Sequence, residues 1–290
     1  MDGPLRIGYV PEHFSTPLHF AKQRFGLDAS LVPYPSGTGH MIQSLQAAEL
    51  DVAIGLTEGW VAGIGKHREK AGYKIVGTYV ETPLCWAIST GFGREDLTSV
   101  DPLRNKKVGV SRIGSGSYVM SFVLADQQGW LEKPGQLPFE VVPLDTFAKL
   151  RQGVNDGTAD FFMWEHFTTK RYWDNKKIKR IGEIYTPWSS WKIVARDPTD
   201  GRLNSMSESI NKGIQYFNEN HEEAVKYIIS ELDYTTEDAK EWLKTVKFTE
   251  DVWGTDPKVI DKAIRILGEA GVLDPSQVSS GDMIAVTREA

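Results

Sequence analysis

One cysteine, Cys85, stands in 290 residues. A single thiol closes no intramolecular disulfide and supplies no cysteine-rich metal or iron–sulfur centre, which removes the zinc-finger and cluster-redox classes. Basic charge is scarce too: 33 Lys and Arg against 39 Asp and Glu leave a formal charge of −6. No global field attracts a polyanion, so nucleic acid is not an expected partner. No apolar run is long enough to cross a bilayer, so no membrane insertion is expected. The first residues, Met1 to Tyr9, hold no basic segment followed by an apolar one. On that pattern the expected location is cytoplasmic, or extracytoplasmic where a leader has been removed. Nucleotide and hydrolase signatures are missing as well. Neither GxxxxGK[ST] nor GxSxG occurs, Gly114-x-Gly116 lacks the third glycine of a dinucleotide fingerprint, and no histidine spacing matches HExxH. The expectation is therefore no cofactor and no metal, and no motif demands catalysis.

What is present is the composition of an ordinary folded protein, 40% hydrophobic and 25% charged with 27 Gly and 14 Pro. A chain of this length outgrows one core, so two lobes are expected. Leu5–Val10 reads as a strand, Leu18–Arg24 as a helix, and Leu31–Tyr34 as a strand whose Pro33 marks an edge or end. An amphipathic helix over Met41–Glu49, a buried strand over Asp51–Leu56, a helix over Thr57–Ile64 and a strand over Lys74–Val80 follow. The order then restarts with a strand at Lys107–Val110, a turn at Gly114–Ser117 and a helix over Tyr118–Gln128. Phe139–Val142, Thr146–Val154 and Ala159–Trp164 continue as strand, helix and strand, and from Met206 onward the periodicity is helical. Two stretches, Thr82–Ser89 and Thr186–Val194, share Thr-Pro, a tryptophan and an apolar β run. The expected architecture is α/β: two doubly wound lobes of mixed, mostly parallel sheet, joined by two crossing strands, with a cleft between them. Residues 1–85 and 192–290 would form one lobe and 86–191 the other.

In open α/β sheets ligands bind beyond the carboxyl ends of the strands. The candidates there are Glu12, His13 and Phe14; Ser36, Gly37 and Thr38; Thr57 and Glu58; Thr82 and Trp86; Ser115, Gly116 and Ser117; Trp164 and Glu165; and Trp188. Two Gly/Ser/Thr turns, Ser36–Gly39 and Gly114–Ser117, each lie between a strand and a helix. Small residues admit a ligand to the backbone, and first-turn amides carry partial positive charge, so such turns can hold a sulfonate, carboxylate or phosphate without arginine. Plain helix capping is the competing reading. Trp60, Trp86, Trp164, Trp188 and Trp191 could sandwich a ring or cation, or simply pack. Glu12, Glu58 and Glu165 would suit an amine-bearing partner, against the plainer role of solvated or first-turn carboxylates. For His13, His40 and His166 a surface or hydrogen-bonded histidine is the plainer reading, and Cys85 reads as a small buried hydrophobe.

Several of these segments carry a family likeness. Gly8–Pro11, the Gly-rich turn, Gln46–Gly55, Lys106–Ser117 and Leu150–Glu165 resemble the type II periplasmic binding protein superfamily. The likeness is nearest to its aliphatic sulfonate, taurine and nitrate branch and to the thiamine-pyrimidine biosynthesis-like proteins, including fungal and bacterial members without an export signal. It covers nearly the whole chain. The resemblance implies two lobes that close by hinge motion on a small ligand, with contacts after the first strand, at Ser36–Thr38, at Thr57 and Glu58, at Thr82, at Ser115–Ser117 and around Trp164–Glu165. No Cys-Cys-Cys-Phe-Cys stretch occurs, which departs from the iron-dependent eukaryotic pyrimidine synthases. The expected function is a soluble binding protein that closes on a small anionic or zwitterionic metabolite: a sulfonate, a carboxylate or a thiamine-pyrimidine-like compound. The alternative is an enzyme on the same fold, a pyrimidine-precursor synthase or a dehydratase, using His13, Glu58 or His166 as acid or base. A small molecule is the expected partner, and no protein-partner surface is marked.

Overall fold

The computed structural model describes residues 3–133 and 136–289. Strand β1 (Leu5–Tyr9) leads through a 3₁₀ turn at His13–Ser15 to α1 (Thr16–Arg24), β2 (Ala29–Pro33), α2 (Thr38–Gln46), β3 (Val52–Leu56), α3 (Thr57–His67) and β4 (Lys74–Val80). Next come β5 (Cys85–Gly91), β6 (Lys107–Val110), α4 (Gly116–Gln127), β7 (Glu140–Pro143), α5 (Phe147–Asp156), β8 (Phe161–Glu165), α6 (His166–Asp174) and β9 (Ile178–Tyr185). The chain ends with β10 (Trp191–Ala195), α7 (Arg202–Glu219), α8 (His221–Glu231), α9 (Thr236–Leu243), α10 (Pro257–Glu269) and α11 (Ser280–Met283).

Two units divide these elements. One holds Met1–Thr82, Trp188–Ala263 and Gln277–Ala290, and the other Pro83–Pro187 and Ile264–Ser276. The stretch 264–276, half of α10 and the turn after it, thus groups with the second unit, which strand order alone does not reveal. Each unit has its own five-stranded sheet, ordered β2-β1-β3-β10-β4 in the first and β7-β6-β8-β5-β9 in the second. In the first, β1 pairs in parallel with β2 and β3, while β10 runs antiparallel to β3 and β4. In the second, β6 pairs in parallel with β7 and β8, while β5 runs antiparallel to β8 and β9. The two sheets therefore repeat one plan, with a single reversed strand in each. Those reversed strands, β5 and β10, come from the two Thr-Pro-Trp stretches.

Local chemistry explains the plan. β2 and β7 end at Pro33 and Pro143 and lie at sheet edges, where a missing N–H breaks no ladder. β3 and β8 sit inside and are apolar on both faces, as covered strands must be. An aspartate precedes each of them. Asp51 Oδ2 accepts from Arg6 N–H at 2.9 Å and Asp51 N–H returns a 3.0 Å bond to Arg6 O. Asp160 Oδ2 accepts from Lys107 N–H at 2.8 Å and Asp160 N–H returns a 2.8 Å bond to Lys107 O. Each carboxylate also meets a guanidinium, Arg6 at 2.6 Å for Asp51 and Arg94 at 2.7 Å for Asp160. In both units this clamp joins the amino ends of neighbouring parallel strands. The elements absent from the sequence reading are β9, α6 and the four-residue α11. β9 is an edge strand rich in charge, and α6 is short and built from aromatic and β-branched residues with modest helix propensity.

Candidate functional site

In the first unit the strand order turns at β1, so the carboxyl ends of β1 and β3 mark the switch point where ligands of open sheets bind. Gly37, with φ of 78°, precedes α2 in a conformation that glycine tolerates best. Ser36 beside it is exposed. Thr38 is buried, and its Oγ1 accepts from Leu56 N–H at 3.0 Å, tying α2 to the end of β3. The approach is close: a Cβ on Gly59 would lie 2.7 Å from Thr38 Cγ2. Thr57 Oγ1 donates to Ser189 O at 2.6 Å, and Thr57 N–H donates to Ser190 O at 3.0 Å. Trp188 Nε1 donates to Glu58 Oε2 at 3.0 Å. Glu58 is 1% exposed, and its Oε1 has no hydrogen-bond partner among the described residues. Burial pushes this carboxyl up to about 7, against its own N–H and the Trp188 indole, which favour the carboxylate.

The segment 188–190 also reaches a buried lysine. Lys192 on β10 is 1% exposed, and its Nζ donates to Ser189 Oγ at 2.5 Å and to Thr78 Oγ1 at 3.0 Å. Burial brings the ammonium down to about 7, with Glu81 and Asp256 opposing and Arg288 adding to the fall. Lys192 is missing from the sequence candidates although a lone lysine in Trp191–Ala195, an otherwise apolar strand, is the signal that could have found it. Thr82 lies beside the same segment: its carbonyl accepts from Ser190 Oγ at 2.8 Å, and its Oγ1 accepts from Lys247 N–H at 3.1 Å.

After β1 the candidates are drawn into packing. His13 is 1% exposed, with its ring 4.3 Å from that of Trp242 and 4.6 Å from that of Tyr234. Phe14 packs against Trp191 at 5.2 Å. Burial lowers the His13 imidazole well below its ordinary value, so it is neutral at pH 7. Glu12, before this turn, is half-buried. Trp60 is fully buried and its Nε1 donates to Lys192 O at 3.3 Å.

In the second unit, Ser115 caps α4 and its Oγ accepts from Tyr118 N–H at 3.4 Å. Ser117 Oγ lies 3.0 Å from Ser115 Oγ and accepts from Ser111 N–H at 3.1 Å. Gly114, with φ of 80°, turns the chain into this cap, and Gly116 begins the helix. The hydroxyls of Thr38, Thr57, Ser115 and Ser117 are thus engaged with the fold, and what these turns offer a ligand is their first-turn amides. Glu165 is 6% exposed and caps α6, its Oε2 accepting from Thr168 N–H at 2.6 Å. Burial pushes it up to about 7, against the Thr168 and Phe167 hydrogen bonds. Trp86 pairs opposite Glu165 in the sheet, and its buried Nε1 has no partner among the described residues. Trp164 turns to the other face and stacks on Phe147, with centroids 5.0 Å apart and planes at 15°. Two shallow concavities of this unit, around Trp130 and Phe139 and around Arg151 and Tyr172, contain none of these residues.

The shared sheet plan corrects one pairing. The counterpart of β6 is β1, so Ser115–Ser117 corresponds to Glu12–Ser15 and not to Ser36–Thr38. The true counterpart of Ser36–Thr38 follows β7, where Thr146 Oγ1 accepts from Lys149 N–H at 3.3 Å. Glu58 and Glu165 are not equivalent: Glu165 ends β8 and is the N-cap of α6, matching Leu56 at the end of β3 and the N-cap of α3, and Glu58 lies two residues further on.

A further cluster was invisible to spacing. Cys85 Sγ, His166 Nδ1 and a Glu183 carboxylate oxygen lie within 4.8 Å of one another, from β5, α6 and β9. Cys85 is half-buried, not enclosed in the core as expected. Burial, with Glu183 and Glu165 adding, pushes its thiol up to about 12 against the Tyr185 hydrogen bond.

A family model described as Ca3427-like PBP matches residues 86–184. Among curated proteins none matches the chain. The Candida albicans CA3427 gene product, described as defining a new family with the generic periplasmic binding protein structural fold, is 42% identical over 99% of this chain and 97% of its own, with a TM-score of 0.87. The alkanesulfonate-binding protein SsuA from Xanthomonas axonopodis pv. citri, bound to MOPS, is 13% identical over 98% of this chain and 99% of its own, with a TM-score of 0.76. The periplasmic aliphatic sulphonate binding protein SsuA from Escherichia coli is 12% identical over 99% and 93%, with a TM-score of 0.70. These last two share the fold.

Proposed function

Because the chain belongs to the family that the Candida albicans CA3427 product defines, a family with the generic periplasmic binding protein fold, we propose that its ligand is a small anionic or zwitterionic metabolite. A sulfonate, a carboxylate or a thiamine-pyrimidine-like compound fits the reading. One observation carries it: Glu58 Oε1, a buried carboxyl oxygen in the first turn of α3, has no partner among the described residues. Buried polar atoms are satisfied in the great majority of cases, so an orphan at a strand end is a place kept for another molecule. Glu58 would take an N–H or ammonium of the ligand. The first-turn amides of α2, beside Ser36–Thr38 in the same unit, would take its acidic group.

Native mass spectrometry of freshly purified protein, followed by calorimetry against aminosulfonates, alkanesulfonates, carboxylates and aminopyrimidines, tests this. One class should bind at one equivalent. Glu58→Gln should weaken amine-bearing ligands at least tenfold and leave plain alkanesulfonates nearly unchanged. No binding by any class, or equal affinities in wild type and variant, overturns the reading. Conversion of a bound compound during incubation would replace binding by catalysis.

A further inference from the structure

We infer that Cys85, His166 and Glu183 form a zinc site on the second unit. The donors are a thiol, an imidazole and a carboxylate, the set that Zn²⁺ takes in three-ligand sites, with water completing a tetrahedron. Their placement fits. Glu183 Oε2 is 3.9 Å from Cys85 Sγ and 4.0 Å from His166 Nδ1. Ligand atoms in a tetrahedral site with bonds of about 2.0–2.3 Å stand about 3.5 Å apart, so the two Glu183 distances exceed that spacing by about half an ångström, and Cys85 and His166, within 4.8 Å of each other, close by up to about 1.3 Å on binding.

The surroundings support metal binding over a chance meeting. All three donors stand on regular elements: Cys85 begins β5 and pairs with Tyr185 of β9, Glu183 lies two residues back on that strand, and His166 is the first residue of α6. The Tyr185 hydroxyl donates to Glu183 Oε1 at 3.4 Å and meets the Cys85 thiol, so one phenol steadies two ligands. Arg180 pairs with the same Glu183 oxygen, Oε2, and has to release it to the ion. The His166 side chain is 16% exposed and that of Glu183 is 38% exposed, which gives an ion a way in. On binding, the Cys85 S–H bond is replaced by S–Zn and the proton passes to buffer, so uptake strengthens as pH rises. The charged or titratable groups facing the thiol are Glu165, His166, Arg180, Glu183 and Tyr185.

This site does not rest on the ligand reading, and its test uses the metal alone. The full chain, freed of metal by chelator, is titrated with Co²⁺ and then with Zn²⁺ against a chromophoric chelator. One equivalent of Co²⁺ should give a sulfur-to-cobalt charge-transfer band in the near ultraviolet, displaced by one equivalent of Zn²⁺. As Cys85 is the single cysteine, Cys85→Ser must abolish that band. His166→Ala and Glu183→Gln should weaken zinc at least tenfold, and His40→Ala, on an exposed residue, should not. Circular dichroism and melting without metal show that each variant folds; should Cys85→Ser not fold, Glu183→Gln, a change at a partly exposed side chain, decides. Absence of the band, or zinc affinity unchanged in Glu183→Gln, overturns the proposal.

Discussion

Trp188 Nε1 stands 3.0 Å from Glu58 Oε2, and this bond joins the segment before β10 to the first turn of α3. It satisfies one carboxyl oxygen and leaves the other buried without a partner among the described residues. A group so placed is easier to keep protonated than ionised. Stability should therefore depend on its proton.

Glu58→Gln tests that dependence. The carboxyl titrates at about 7 in the folded chain and about 4.5 when free. Between those values the folded state holds a proton that the unfolded state has released, so stability falls as pH rises through the window, by up to about 3 kcal/mol for the whole shift. Glutamine copies the shape and does not titrate. Urea unfolding should show the variant gaining on the wild type from about pH 4.5 to about pH 7, with a constant gap above. A gap independent of pH would remove Glu58 as the titrating group.

Lys192 should show the opposite sign. Its amine titrates at about 7 when folded and 10.5 when free. Across that interval the unfolded chain holds a proton that the folded chain lacks, so stability rises with pH, by about 1.4 kcal/mol per unit. Lys192→Met preserves most of the volume and removes the titration. The wild type should gain on this variant between pH 7 and pH 10 in the same unfolding assay, and parallel curves would count against a depressed lysine.

The parts of the architecture that reached the surface of the sequence were those written in local patterns. Pro33 marked a strand edge or end, and the runs read over Asp51–Leu56 and Ala159–Trp164 marked the covered strands β3 and β8. The segments behind the family likeness, Gln46–Gly55 and Leu150–Glu165, contain Asp51 and Asp160, whose carboxylates clamp strands together. They encode fold more than ligand. Side-chain hydrogen bonding was not visible: nothing local to Thr38 shows that its hydroxyl is engaged by Leu56, or that Thr57 reaches Ser189. The same limit hid Cys85, His166 and Glu183, which only the pairing of β5 with β9 and the start of α6 bring together.

The aspartate clamp is open to direct measurement. Burial pushes the Asp160 carboxyl up, but Lys107 N–H and the Arg94 guanidinium outweigh it and hold it below the usual carboxylate value. Asp160→Asn keeps the size but weakens the acceptor, and should cost about 1–3 kcal/mol at neutral pH. With the folded value depressed, the wild type holds its advantage above the ordinary carboxylate range and loses it as pH falls. The deficit of the variant should shrink on acidification. Asp51→Asn, at the matching position of the first unit, should behave alike, and a variant unfolding at the wild-type midpoint at pH 7 would deny the clamp its role.

Thr38 separates packing from ligand contact. Its Oγ1 accepts the Leu56 N–H, and its methyl fills the space over Gly59. Thr38→Val retains shape and leaves that N–H unpaired, which should cost about 1–3 kcal/mol. Gly59→Ala approaches the same contact from the other side: the new Cβ, 2.7 Å from Thr38 Cγ2, must displace the threonine or the helix, and a cost of about 1–3 kcal/mol follows from such overpacking. If both act by breaking one contact, the double variant should lose clearly less than the sum of the single losses. Ser36→Ala, two residues away on an exposed side chain, should stay within about 0.5 kcal/mol of wild type. Chemical denaturation of the four proteins decides: additive losses in the double variant would mean that Thr38 holds β3 and Gly59 admits α2 for separate reasons.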